Sequence, residues 1–190
     1  MIQQKFTNPL IFFFIAILFT ACKEDLVPKP KAQLRMEYPE AKYKALSSGC
    51  PFTFDYSTEA KVQLNDKCWV NLNYPGLRAS INITYRPVQN NLKELFLEAE
   101  KLTFNHTIKA DGISSIPYED KINKIYGTLY KVTGNAASPL QFHLTDSTRH
   151  FITGAVYFNV APNYDSIVPA VSYLEKDIQH LMETAKWKNE

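Results

Sequence analysis

Between positions 78 and 86 the side chains alternate, with Ile81, Ile83 and Tyr85 falling on one side and Ser80, Asn82, Thr84 and Arg86 on the other. A period of two over that length is a strand in a sheet with one buried face. Pro75-Gly76, just ahead of it, is a turn dipeptide, so 68–74 and 78–86 read as a hairpin. Further strands are expected at 33–38, 52–56, 60–64, 124–132, 140–145 and 150–160. The last two flank the polar turn Asp146-Ser147-Thr148-Arg149 and are expected to pair antiparallel. The 11 Tyr suit a sheet that is partly wet.

Two segments switch to helical spacing. After Pro87, Asn90 or Asn91 can cap a helix whose stripe runs Leu92, Leu95, Phe96, Ala99, Leu102 and His106, with Lys93, Glu94, Glu98 and Lys101 on its wet side. After Pro162, Asp165 is the expected N-cap of a second helix, with Pro169 in its first turn and a stripe of Ile167, Val171, Leu174, Ile178, Leu181 and Ala185. The stretch through Asp111-Gly112 and Pro117 reads as a loop. The order strands, helix, strands, helix predicts an α+β domain, a single antiparallel sheet with two helices packed on it. That element order is similar to the PsbP-like topology.

Ahead of the domain lies a different kind of segment. Residues 10–19 are apolar, too few to cross about 30 Å of hydrocarbon, and Lys5 precedes them, as in a secretory signal. Leu18-Phe19-Thr20-Ala21-Cys22 places small residues before a thiol, the pattern at which a lipoprotein signal is cut and the cysteine acylated. Phe19 departs from that pattern, which has Leu three residues before the cysteine. The expected organisation is a signal peptide over 1–21, a lipidated tether over 22–32 and one domain over 33–190, with a palmitate-type acyl anchor on Cys22. Lys23-Glu24-Asp25 resembles the acidic signal that sends Bacteroidota lipoproteins to the outer membrane, and it equally suits a charged linker.

Removing 21 residues from 190 leaves 169, enough for one sizeable core. Lys and Arg number 21 against 19 Asp and Glu, scattered along the chain, so there is no electrostatic case for nucleic acid as a partner. With Cys22 assigned to lipid, Cys50 and Cys68 remain in a chain addressed to an oxidising compartment, and a disulfide between them is expected. Neither a Cys-x-x-Cys spacing nor a nearby His favours a metal pair or a reactive thiol.

The residues that carry chemistry are sparse. His106, His143, His150 and His180 are the four histidines, and His106 sits on an apolar stripe as a packing residue would. A weak metal site from His143, His150 and Asp146 across their hairpin competes with ordinary turn hydrogen bonding. Gly134-Asn135-Ala136-Ala137-Ser138 lacks the Lys and the helix of a phosphate loop. No catalytic residue, cofactor or metal is assigned. Asp146-Ser147-Thr148 and Asp165-Ser166-Ile167 match an Asp-Ser/Thr-apolar O-glycosylation pattern, and Ser147, on a turn, is the better acceptor.

Several blocks taken together resemble one family. They are Cys22-Lys23-Glu24-Asp25, Glu37-Tyr38-Pro39-Glu40-Ala41-Lys42-Tyr43, Cys50-Pro51-Phe52-Thr53-Phe54, Tyr85-Arg86-Pro87-Val88 and Asn90-Asn91-Leu92. They continue with Ile108-Lys109-Ala110-Asp111, Gly134-Asn135-Ala136-Ala137, Thr145-Asp146-Ser147-Thr148-Arg149-His150-Phe151 and Pro162-Asn163-Tyr164-Asp165-Ser166-Ile167. In this order they resemble the gliding-motility lipoprotein GldD family of Bacteroidota. The resemblance implies a noncatalytic, lipid-anchored envelope protein whose partners are the membrane and other gliding and type IX secretion proteins, on the periplasmic or cell-surface face of the outer membrane. The alternative is a periplasmic enzyme or small-ligand binder using a cleft between the sheet and its helices.

Overall fold

In a computed structural model of the chain, residues 37–104, 110–160 and 163–188 are described. The apolar run, Cys22, the tether, most of the strand expected at 33–38 and His106 lie outside them. Elements follow in the order β1 (Tyr43–Ala45), β2 (Phe52–Thr53), β3 (Asp55–Ser57), β4 (Lys61–Leu64), β5 (Val70–Tyr74), β6 (Ala79–Pro87) and α1 (Leu92–Phe104). Then come β7 (Ala110–Asp120), β8 (Ile125–Gly134), β9 (Leu140–Thr145), β10 (His150–Phe158), α2 (Tyr164–Thr184) and β11 (Lys186–Trp187). They belong to one compact unit, Gln33–Glu190.

The fold is α+β with antiparallel pairing, but the expected single sheet is three. Seven strands form the main sheet in the order β4-β5-β6-β10-β9-β8-β7, and β1-β3 and β11-β2 are separate two-stranded ribbons. The segment expected as one strand over 52–56 breaks at Phe54, whose ring is buried in the core beside that of Phe52. On one side of the break Phe52 pairs with Trp187; on the other, Asp55 to Ser57 turn back on Tyr43 to Ala45.

A second correction concerns 110–120. The expected loop is an eleven-residue edge strand paired along β8, with a bulge between Ala110 and Gly112. An edge position tolerates Pro117, which has no N–H to give a second neighbour. The helix cap also moves. Asn163, extended at φ −148°, precedes α2, and its carbonyl accepts the N–H groups of Ser166 at 3.1 Å and Ile167 at 3.3 Å. Asp165 therefore lies inside the first turn, where its charge favours the dipole, and Pro169 lies beyond that turn.

The hairpins hold as expected. A 3-10 turn, Pro75–Leu77, joins β5 to β6, and Ile81 and Ile83 are buried while Asn82 is exposed. The β9–β10 pair registers Phe151 with Thr145 and Thr153 with His143. The two helices lie on opposite faces of the sheet. Leu95, Phe96 and Ala99 of α1 pack on Phe151, whereas Val171, Leu174 and Ile178 of α2 share a core with Phe142, Leu144 and Ile152. Since 151 and 152 are neighbours on one strand, these are its two sides. All six residues of β9 are buried in consequence.

Candidate functional site

The side of the sheet under α2 contains a buried carboxylate. Asp177 stands on the apolar stripe of α2, three residues after Leu174 and four before Leu181, and is only 3 % exposed. The Tyr43 hydroxyl donates to its Oδ1 at 2.9 Å and the Tyr74 hydroxyl to its Oδ2 at 3.0 Å. Burial raises the Asp177 carboxyl above its ordinary range, and the two phenol bonds pull only part of the way back. Burial and the neighbouring carboxylate push both phenols upward as well. The Tyr43 ring stacks on His180 with centroids 3.7 Å apart, and His180 Nε2 lies 3.8 Å from Asp55 Oδ2. Thr184 Oγ1 accepts the Asp55 N–H at 2.9 Å. The group therefore ties β1, β3 and β5 to α2, a joint rather than an open cleft.

The side under α1 is more polar and incompletely filled. Thr103 of α1 meets Gln141 of β9, Oγ1 to Oε1, at 3.0 Å. His143 lies parallel to Phe151 at 5.9 Å and edge-on to Phe96 at 5.2 Å. Burial alone lowers its pKa to about 4, so the ring is neutral at physiological pH. A cavity of about 170 Å³ remains beside these side chains. The cavity lies between the sheet and α1.

His143 and His150 do not converge. His143 faces α1, while His150 lies on the other side, stacked on Trp187 at 5.0 Å and with Nδ1 3.0 Å from the Tyr85 hydroxyl. Asp146 instead organises the turn: its Oδ1 accepts N–H groups from Thr148, Arg149 and His150 at 2.9, 2.7 and 2.9 Å. Burial would raise this carboxyl, but those bonds outweigh it and hold the pKa below the usual value. The weak metal site does not form, and among the described residues no three His, Cys, Asp or Glu are gathered to hold an ion. Ser147 is exposed at the tip of the same turn, with φ 65°. Cys50 and Cys68 are bonded, with Cα atoms 5.6 Å apart.

Two groups escaped the sequence reading. Asp177 had a signal, a charge at helical spacing within an apolar stripe. Gln141 had none, because its alternation with Leu140 and Phe142 looks like an ordinary wet strand face until α1 is laid over it.

These features define a small disulfide-linked α+β domain with one helix on each face of its sheet. The model of the family described as gliding motility lipoprotein GldD matches residues 23–187, and the chain belongs to that family. No curated protein matches the chain. The family ties the chain to gliding motility and to the cell envelope, and no helix among the described residues is long and apolar enough to cross a membrane.

Proposed function

We propose that this protein is held by acyl chains on Cys22 at the outer membrane and acts without catalysis, supporting assembly or stability of the gliding and type IX secretion machinery through protein contacts. The observation that carries this reading is the family match across 23–187. In the accompanying organisation, 1–21 is removed as signal, 22–32 tethers, 33–190 is the single domain, and Ser147 accepts a glycan at its exposed turn. Two acyl chains make anchoring stable where one would be marginal. Exposed Trp69, Leu97 and Phe104, at 44 %, 55 % and 50 %, offer the large apolar contacts on which binding surfaces rely.

The test is genetic and biochemical together. Deletion should stop surface gliding, wild-type protein should restore it, and Cys22→Ala should lose acyl labelling and fail to restore it. Affinity capture of the restored protein from envelopes should recover other motility components. Normal gliding in the deletion strain overturns the functional reading, and unchanged acyl labelling of the variant overturns the anchor.

A further inference from the structure

Two of the residues that line the cavity under α1 carry buried polar atoms with nothing to bond. Gln141 Nε2 and His143 Nδ1 are both fully enclosed and lack a hydrogen-bond partner, and each residue is only 6 % exposed. A buried polar group left unpaired costs about 1–3 kcal/mol, so two on residues lining one cavity call for an occupant.

The local hydrogen bonding sharpens this. Thr103 Oγ1 lies 3.2 Å from the Ala99 carbonyl and 3.0 Å from Gln141 Oε1, yet a hydroxyl has one proton and cannot donate to both. Turning the Gln141 amide lets Nε2 donate to Thr103 Oγ1 while Thr103 donates to Ala99. In either orientation one atom of the amide is left without a partner. The His143 ring is neutral, with one nitrogen a donor and the other an acceptor. Asn82, Thr84 and Thr153 add amide and hydroxyl groups to the wall, and no charged side chain lines it.

Those features restrict the occupant. An ion would be desolvated against no opposite charge, and an apolar molecule would leave Gln141 and His143 as unpaired as before. Hydroxyl groups donate and accept, so they satisfy the amide and the imidazole in any of their arrangements. Tyr130 and the half-exposed Tyr157 offer ring faces for an aliphatic C–H surface. At about 170 Å³ the space is below the roughly 300 Å³ at which drug-sized pockets begin. We propose that this cavity binds a single uncharged sugar ring, with Gln141 and His143 as its polar floor and Tyr157 at its rim. This site is independent of the anchoring and assembly role proposed above.

The test uses full-length lipidated protein in a zwitterionic detergent free of sugar headgroups, with saturation-transfer NMR as the readout. The probes are glucose, galactose, mannose, rhamnose and N-acetylglucosamine, each also as its methyl glycoside. At least one probe should receive saturation from the wild type, and Gln141→Leu and Tyr157→Ala should each weaken its binding about tenfold or more. Gln141→Leu keeps size and burial, and Tyr157→Ala changes a rim residue, so at least one folded variant is available. Binding of the methyl glycoside assigns the ring to a glycan end; binding of the reducing sugar alone assigns it to a free sugar. Absence of saturation for every probe, or equal binding by wild type and both variants, overturns the proposal and leaves the cavity to water.

Discussion

Phe142 lies across the backbone of Gly154, its strand partner in the β9–β10 pair, so closely that a Cβ on Gly154 would sit 2.2 Å from the ring's Cε1. The glycine is what lets an aromatic ring lie flat in the centre of a sheet covered on both sides. Gly154→Ala should cost about 1–3 kcal/mol through overpacking, and Phe142→Ala about 3–5 kcal/mol through the void it leaves. In the Phe142→Ala background the Gly154→Ala penalty should vanish, because the clash partner is gone. Denaturant midpoints of the four proteins check this, and additive losses would contradict it.

Asp177 is a joint whose removal should be felt at neutral pH. Asp177→Ala strands the Tyr43 and Tyr74 hydroxyls and should cost about 2–4 kcal/mol, whereas Asp177→Asn keeps both contacts and should cost about 1 kcal/mol. Chemical denaturation of both variants at pH 7 gives the comparison. The linkage has a definite sign. Because the folded pKa is raised, the contribution of this titration is present below the ordinary carboxylate pKa and lost as pH rises through the folded one. Asp177→Asn should remove that dependence.

His143 works in the opposite direction. A folded pKa of about 4 against an ordinary 6.5 means that stability is fully present above pH 6.5 and falls as pH drops toward 4. The loss attributable to this ring should be about 3 kcal/mol across that window. His143→Phe, which preserves the packing with Phe96 and Phe151, should flatten this part of the curve. Stability measured by urea denaturation between pH 4 and 7 tests it, and parallel curves for the two proteins would refute it.

The Cys50–Cys68 bridge closes an 18-residue separation. Its reduction, or paired Cys→Ala replacement, should cost about 3 kcal/mol, mainly by freeing the unfolded chain. A thermal midpoint measured with and without reductant, in wild type and in the paired variant, separates the bridge from any side effect of the reductant.

How much of this was legible in the sequence depended on where each element finds its partner. The second hairpin was, because Leu140 to Thr145 carries an unbroken pattern and Asp146 supplies the turn from its own side chain. The edge strand β7 was not, because Gly112, Ser114, Ser115 and Pro117 punctuate it and neither of its faces is continuously buried. Its hydrogen bonds come from β8 rather than from any pattern of its own. The 52–56 segment alternates well enough for one strand, but Phe54 finds a better place in the core, and two short ribbons result. The polar floor made by Gln141 and His143 depends on a helix arriving from another part of the chain. No window of local sequence contains it.

The β11–β2 ribbon joins the last described residues to the beginning of the domain, with the Lys188 N–H donating to the Pro51 carbonyl at 2.9 Å. A chain that emerges N-terminus first cannot make that pairing until residues 186–188 have emerged. The same holds for Tyr43 and Asp55, which wait for Asp177 and Thr184 of α2. Tyr43–Ala45 can pair early with Asp55–Ser57, but Phe52, Thr53 and the Tyr43 hydroxyl acquire their far partners late. Contacts across more than a hundred residues slow folding. Completion of this ribbon waits for Trp187. A truncation ahead of Lys186 would leave Phe52 and Thr53 without their strand partner.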